Sequence, residues 1–129
     1  MTVTSYQLID AIKANQPEMV EYFLKTGISI DAPQKYTEEN TPLTAAIEFN
    51  NLDMVKFLVE HGADINGREF SPLLTATYLG NRTFDIVKFL VEHGANVNVR
   101  SKHGETPLYN AFCNSDGIEM VKFLVEHGG

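Results

Sequence analysis

Apolar residues return at helical spacing along this chain, in pairs of short stretches separated by polar breaks. Leu8, Ala11 and Ile12 make one apolar face, and Met19, Val20, Phe23 and Leu24 make the next. Leu52–His61 carries another, with Asp53, Lys56 and Glu60 placed to pair along its solvent side. The starts and stops agree with helices. Thr41-Pro42-Leu43, Ser71-Pro72-Leu73 and Thr106-Pro107-Leu108 each put a hydroxyl at a cap and Pro at the first helical position. There φ is preset and no donor is wasted. Ala45-Ala46-Ile47 continues as a helix-forming run and Asn50-Asn51 breaks it. Gly62 stands where a left-handed C-terminal cap favours glycine. Thr4 with Gln7 three residues later gives a capping box, and Pro17 suits the first turn of the following helix. Beyond the glycines, Ala63-Asp64-Ile65-Asn66 and Ala95-Asn96-Val97-Asn98 are short and turn-rich.

The pattern is periodic. VKFLVEHG occupies Val55–Gly62, Val87–Gly94 and Val121–Gly128, with a looser copy, VEYFLKTG, at Val20–Gly27. The opening valines are 35, 32 and 34 residues apart. A period of this size predicts stacked copies of one helix-turn-helix unit, none able to bury its apolar face alone. The 129 residues hold a single domain of four such units, at about 4–36, 37–66, 67–101 and 102–129. The recurring Phe57, Phe89 and Phe123 are expected in the core or in the packing between units. Gly128-Gly129 follows the last helix with no visible polar capping unit. Phe123 and Val125 are therefore expected to face solvent, a neighbouring molecule or further repeats.

The TPL and SPL openings, the small residues Ala45, Ala46, Ala76 and Ala111, the helix blocks, and the segments GADIN and GANVN together resemble the ankyrin repeat family. The resemblance covers essentially the whole chain. It implies an all-α ankyrin-repeat solenoid of about four helix-turn-helix units with projecting β-turn fingers. It also implies a protein–protein interaction module with no catalytic role. The departures are specific. Thr44, Leu74 and Tyr109 stand where the family usually has His after the opening. The third and fourth units carry extra residues near Arg82-Thr83 and Gly117. Against the family pattern, the first projecting turn is long and the second short.

Partners of this family usually meet the concave side, formed by the fingers and the outer face of the first helices. Carried over by register, the resemblance implies contacts from Lys13, Ala14, Glu48, Phe49, Tyr78, Leu79, Cys113 and Asn114 on the helices. In the turns it implies Tyr36, Thr37, Glu38, Asn40, Arg68, Glu69, Phe70, Arg100, Lys102, His103 and Glu105. Phe49, Phe70, Tyr78 and Leu79 are large apolar side chains where a solvated face would carry charge. Clustered, they would make an anchor patch for an unidentified protein partner. The alternative is that the altered turns fold them inward, Phe70 above all. A structural or regulatory spacer within a larger multi-repeat protein is the other functional reading.

Composition narrows the partners. Net charge is −7, from 10 basic and 17 acidic residues, which argues against nucleic acid, whose binding runs on phosphate neutralisation. No apolar run approaches the roughly 20 residues of a membrane span, and Met1–Asp10 has no secretory pattern. The single Cys113 forbids an internal disulfide and suits a reducing, cytoplasmic setting. His61, His93 and His127 hold equivalent slots and raise the question of a metal ladder. Neighbouring helices pack about 8–10 Å apart, whereas zinc binds imidazole nitrogen at about 2.0 Å, so two adjacent histidines could reach one ion, the less favoured metal-binding alternative, but three could not share it. The expected role of these histidines is a polar residue favoured by the helix dipole in the last turn. No phosphate-cradling loop, HExxH or GxSxG motif is present, and no base or orienting group is evident for Cys113. No cofactor or metal is expected. The chain is expected to be monomeric or weakly self-associating through its C-terminal end.

Overall fold

A computed structural model of the chain describes residues 5–31, 41–67, 71–114 and 117–129. Among these residues it contains eight α-helices and no strand. The helices are α1 (Ser5–Lys13), α2 (Pro17–Lys25), α3 (Pro42–Glu48), α4 (Leu52–Glu60), α5 (Pro72–Leu79), α6 (Phe84–Glu92), α7 (Pro107–Cys113) and α8 (Ile118–Glu126). They fall into four pairs in chain order, as the hydrophobic pattern predicts.

The capping chemistry read from the sequence is present atom by atom. The hydroxyls of Thr41, Ser71 and Thr106 accept hydrogen bonds from the backbone N–H groups of Thr44, Leu74 and Tyr109. Thr44 stands where the family usually has His, and it completes a reciprocal box: its Oγ1 accepts from Thr41 N at 2.8 Å. Second helices end on glycine. Gly62 has φ +97, with Gly62 N donating to Val59 O and Ala63 N to Leu58 O. The same pair of bonds recurs at Gly94. The first helices of the leading pairs end instead on Asn15 and Asn50, which hold φ values of 55 and 52. Asparagine tolerates this region better than most residues, and the same two bonds close each helix end.

The chain packs as two compact units, Met1–Asp64 and Ile65–Gly129. In the first, α1 packs on α2 and α3, and α3 on α4. In the second, α5 packs on α6 and α7, and α7 on α8. Alanines occupy the close approaches: Ala45, Ala46, Ala76 and Ala111 are all fully buried. Leu8, Ile9, Ile12, Leu43 and Leu58 fill the first interior, and Leu73, Ile86, Leu90, Met120 and Leu124 the second. Each such side chain contributes about 1.5–3 kcal/mol by leaving water. Successive turns are tied by Asx side chains. Asp31 Oδ1 accepts from Asp64 N at 2.9 Å in the first unit, and Asn66 Oδ1 from Asn96 N at 2.8 Å in the second.

Three features differ from, or add to, the sequence reading. The extra residues near Arg82-Thr83 form a 3-10 turn, Asn81–Thr83. Thr83 is buried there, its Oγ1 within 2.6 Å of Ala76 O and 2.9 Å of Gly80 O. Phe57, Phe89 and Phe123 are half-buried, and Phe123 packs on Phe84 of the preceding helix pair, the packing between units expected of it. Each ring lies against the histidine four residues on, with centroids 4.1, 4.0 and 4.1 Å apart, stacked in the first two pairs and tilted in the third. Finally, two buried polar side chains, Thr77 and Asn110, sit between α5 and α7 where an apolar seam would be expected.

Candidate functional site

The second unit gathers the larger share of the described candidate residues. Ser101 builds its projecting turn. The Ser101 N–H donates to Glu105 O at 2.9 Å, and Gly104 N–H to Ser101 O at 2.9 Å. Ser101 Oγ accepts from the N–H groups of His103 and Glu105 at 3.1 Å each. This self-bonded turn holds Arg100, Lys102 and His103 outward, all exposed. The chain then enters α7, where Tyr109 and Cys113, four residues apart, share an exposed side. A side-chain hydrogen bond with Cys113, together with the charges of Cys113 and Glu105, raises the Tyr109 phenol above its ordinary value. Glu105, Tyr109 and Cys113 therefore act on one another electrostatically. On α5, Tyr78 holds the slot equivalent to Cys113 and is 74% exposed. Its neighbour Leu79 is half-buried.

Asn114 turns inward. Its amide donates to Thr77 O at 3.3 Å and to Asn110 O at 3.0 Å, so its side chain is engaged in holding α7 to α5. In the first unit, Glu48 and Phe49 are exposed at the end of α3, with Phe49 at 55%. Phe49 lines a shallow groove of about 410 Å³ with Lys13, Asn15, Asn50, Asn51 and Asp53. Asn51 Nδ2 donates to Asn15 Oδ1 at 2.8 Å, which braces the two helix turns that shape this groove. Ala14 is exposed beside Lys13. Tyr36, Thr37, Glu38, Asn40, Arg68, Glu69 and Phe70 lie outside the described residues. Phe49 belongs to the first unit, and Tyr78 and Leu79 to the second.

Sequence reasoning did not single out Tyr109 or Phe112 as surface residues. Tyr109 is 57% exposed and Phe112 78%. Register pointed the other way, since Phe112 takes the slot of Ile47 and Thr77, both fully buried.

The histidines have a local role. Nδ1 of His61, His93 and His127 lies 2.8 Å from the carbonyl oxygen of Phe57, Phe89 and Phe123 respectively. A carbonyl only accepts, so Nδ1 carries the proton in each ring. The ring thereby adds a second donor to a carbonyl that already accepts the backbone N–H of the same histidine. Among the described residues no group of three or more His, Cys, Asp or Glu side chains could hold a metal ion. Nor is any described helix long and apolar enough to cross a membrane.

Comparison with known proteins agrees with the architecture. The family model for ankyrin repeats (3 copies) matches residues 5–69 and 66–129. The chain belongs to the ankyrin repeat family, whose members are generally protein-interaction modules without catalytic activity. It is 35% identical over 115 residues to the putative ankyrin repeat protein FPV031 of fowlpox virus (strain NVSL), covering 88% of this chain and 34% of that protein. It is 39% identical over 84 residues to the Homo sapiens ankyrin repeat and SOCS box protein 6, covering 62% of this chain and 20% of that one. A putative ankyrin repeat protein of Acanthamoeba polyphaga mimivirus is 35% identical over 81 residues, covering 62% and 17%. The chain thus spans about a third or less of the length of these curated relatives.

Proposed function

We propose that this chain is a non-catalytic module that holds a partner protein against its concave face, the side formed by the projecting turns and the outer faces of the first helices. One observation carries the reading: the braced turn at 101–104, Tyr109 and Tyr78 present charged and aromatic groups outward from rigid backbone in the second unit. Exposed aromatics on a preformed scaffold are good anchors, because they bring large contact area and little ordering cost. Phe49 with Glu48 offers the same combination in the first unit. The net charge of −7 favours a partner with a basic patch, which long-range attraction helps to meet. A reducing cytoplasmic setting suits the one free, exposed thiol of Cys113.

The test is affinity capture from a lysate of the source organism, comparing the natural chain with the Phe49→Ala/Tyr78→Ala double variant. The variant is expected to lose capture while keeping its far-UV helicity. Undiminished capture by the variant would rule out these two rings as partner contacts.

A further inference from the structure

The turns that follow the capping glycines place an Asx residue four positions after Gly27, Gly62 and Gly94: Asp31, Asn66 and Asn98. Two of these tie their turn to the next through a side-chain oxygen. Asp31 Oδ1 accepts from Asp64 N at 2.9 Å, and Asn66 Oδ1 accepts from Asn96 N at 2.8 Å. Asn98 uses the other end of its amide, Nδ2 donating to Gly128 O at 3.2 Å. The tie at 31 or at 66 requires only an acceptor oxygen, and the carboxylate of Asp31 supplies one as well as an amide does.

No other asparagine of the chain stands directly before glycine as Asn66 does. The side-chain carbonyl of asparagine is an electrophile within ring-closing reach of the next residue's backbone nitrogen. A side chain on that next residue shields the nitrogen, and glycine leaves it open. Gly67 has φ +63, where a Cβ is strained, so the turn itself selects the unshielded residue. Among the described residues no backbone hydrogen bond engages the Gly67 N–H. Asn66 is exposed, so water and base reach it. The Asn96 N–H is already aimed at Oδ1, the oxygen that takes up negative charge when a nitrogen attacks Cγ. Asn98 lacks this setting. Val99 follows it, and the branched side chain crowds the nitrogen.

We propose that Asn66 is a self-modification site: the Gly67 nitrogen closes on the Asn66 side chain, and the isoaspartyl product unties the turn at 66 from Asn96. In the first step the Gly67 N–Asn66 Cγ bond forms and the Cγ–Nδ2 bond breaks. Nδ2 leaves as ammonia, carrying the proton lost by the Gly67 nitrogen. Water then adds to one of the two carbonyls of the resulting succinimide. Opening at the side-chain carbonyl gives an aspartyl residue, and opening at the backbone carbonyl gives an isoaspartyl one. The two products differ at the tie. An aspartyl residue keeps an acceptor oxygen, as Asp31 does in the equivalent slot. An isoaspartyl residue runs the main chain through the former side chain, lengthens it by a methylene and moves the acceptor away from Asn96 N. The outcome is a slow, one-way loosening of the turns of the second unit. It uses neither Phe49 nor Tyr78 and stands apart from the partner-binding proposal.

Peptide mapping of the aged 129-residue chain tests it. The chain is held at mildly alkaline pH, folded and, in parallel, unfolded in guanidinium chloride. Modification is read from the mass gained when NH2 is replaced by OH and from the isoaspartyl content of the peptide. In the folded chain it is expected at residue 66 at a rate comparable with that of the unfolded chain, and at least about tenfold faster than at Asn98. Asn66→Gln, whose longer side chain closes the ring poorly, is expected to stay unmodified. Hydrogen exchange at the Asn96 amide is expected to quicken in the isoaspartyl chain and to stay slow in Asn66→Asp, which has the charge without the altered backbone. A folded chain that keeps Asn66 intact while the unfolded chain loses it overturns the proposal, because the turn then protects the amide. So does modification at Asn98 that keeps pace with residue 66, or an Asn96 amide that exchanges equally in the isoaspartyl and unmodified chains.

Discussion

Asn110 Nδ2 donates to Thr77 Oγ1 at 3.2 Å, joining α7 to α5 across 33 residues of sequence. Both side chains are shut off from water, at 6% and 0% exposure, and the same amide reaches Leu74 O at 3.3 Å. A buried polar pair of this kind contributes little net energy while intact and costs much when half of it is removed. Asn110→Ala is therefore expected to lower the unfolding free energy by about 1–3 kcal/mol. A double-mutant cycle with Thr77→Val should return a coupling of about 0.5–3 kcal/mol by denaturant titration. Zero coupling would mean that the two groups act independently.

Gly117 and Gly62 make an informative pair. Gly62 has φ +97, but a Cβ there meets nothing within 4 Å. Gly117 has an ordinary φ of −85, yet a Cβ there would lie 2.0 Å from Ala111 O. Backbone cannot swing aside as a side chain can. Gly62→Ala is expected to cost about 1–2 kcal/mol, the penalty of a left-handed residue with a Cβ. Gly117→Ala should cost more, because α7 and α8 must separate to admit the methyl group. Thermal melts of the two variants check the order, which is the reverse of what φ alone would give.

Much of this molecule was legible in its sequence, and the reasons differ by residue. Thr41, Ser71 and Thr106 announced their helices because an N-cap is a local contract between a hydroxyl and an N–H three residues on. Gly62 and Gly94 announced the helix ends for the same local reason. The period of the VKFLVEHG blocks gave the pairing of helices, since each copy needs a neighbour. Thr77 and Asn110 were not legible as partners. Their bond depends on how α5 and α7 register, which no local pattern encodes. Nor did spacing reveal that Asn114 turns inward to Thr77 O while Tyr109 and Cys113 remain outside. On α7 the deciding factor is which side meets α5.

The repeated Phe–His pairs predict a tautomer. Nδ1 of His61, His93 and His127 each faces a carbonyl oxygen at 2.8 Å. In the neutral ring the proton therefore resides on Nδ1, and Nε2 is left as the acceptor. Nitrogen NMR at neutral-ring pH is expected to show the Nδ1–H form dominant at all three positions, against the Nε2–H form usual in free histidine. His93→Ala removes both the bond and the ring stack on Phe89 and is expected to cost about 0.5–1.5 kcal/mol.

Tyr109 gives one pH-dependent contribution to stability. Its phenol is raised first by the hydrogen bond with Cys113, then by the charge of Cys113, desolvation and the charge of Glu105. A raised value means that the folded state holds this proton more tightly than the unfolded chain, whose phenol titrates near about 10. The stabilisation is thus complete below about 10 and is lost as pH rises through the folded value. Cys113→Ala removes the first two causes. The ring resonances of Tyr109 are then expected to titrate at lower pH than in the natural chain. An unchanged midpoint would show that the thiol does not hold the phenol.

Stability and binding should separate cleanly by position. Leu58 is fully buried on α4, and Leu58→Ala leaves a cavity that should cost about 2–5 kcal/mol. Phe49 at 55% exposure and Tyr78 at 74% stand outside the interior, so alanine at either should shift unfolding by no more than about 0.5 kcal/mol. If the outer faces of the first helices contact a partner, these two substitutions weaken capture while the melt stays put. Leu58→Ala then lowers the melting temperature, and at a temperature where it remains folded it leaves capture intact. The opposite pairing of effects, with Phe49→Ala or Tyr78→Ala destabilising the fold, would show that these rings pack against the chain itself. They would then be structural residues and not anchors for a partner.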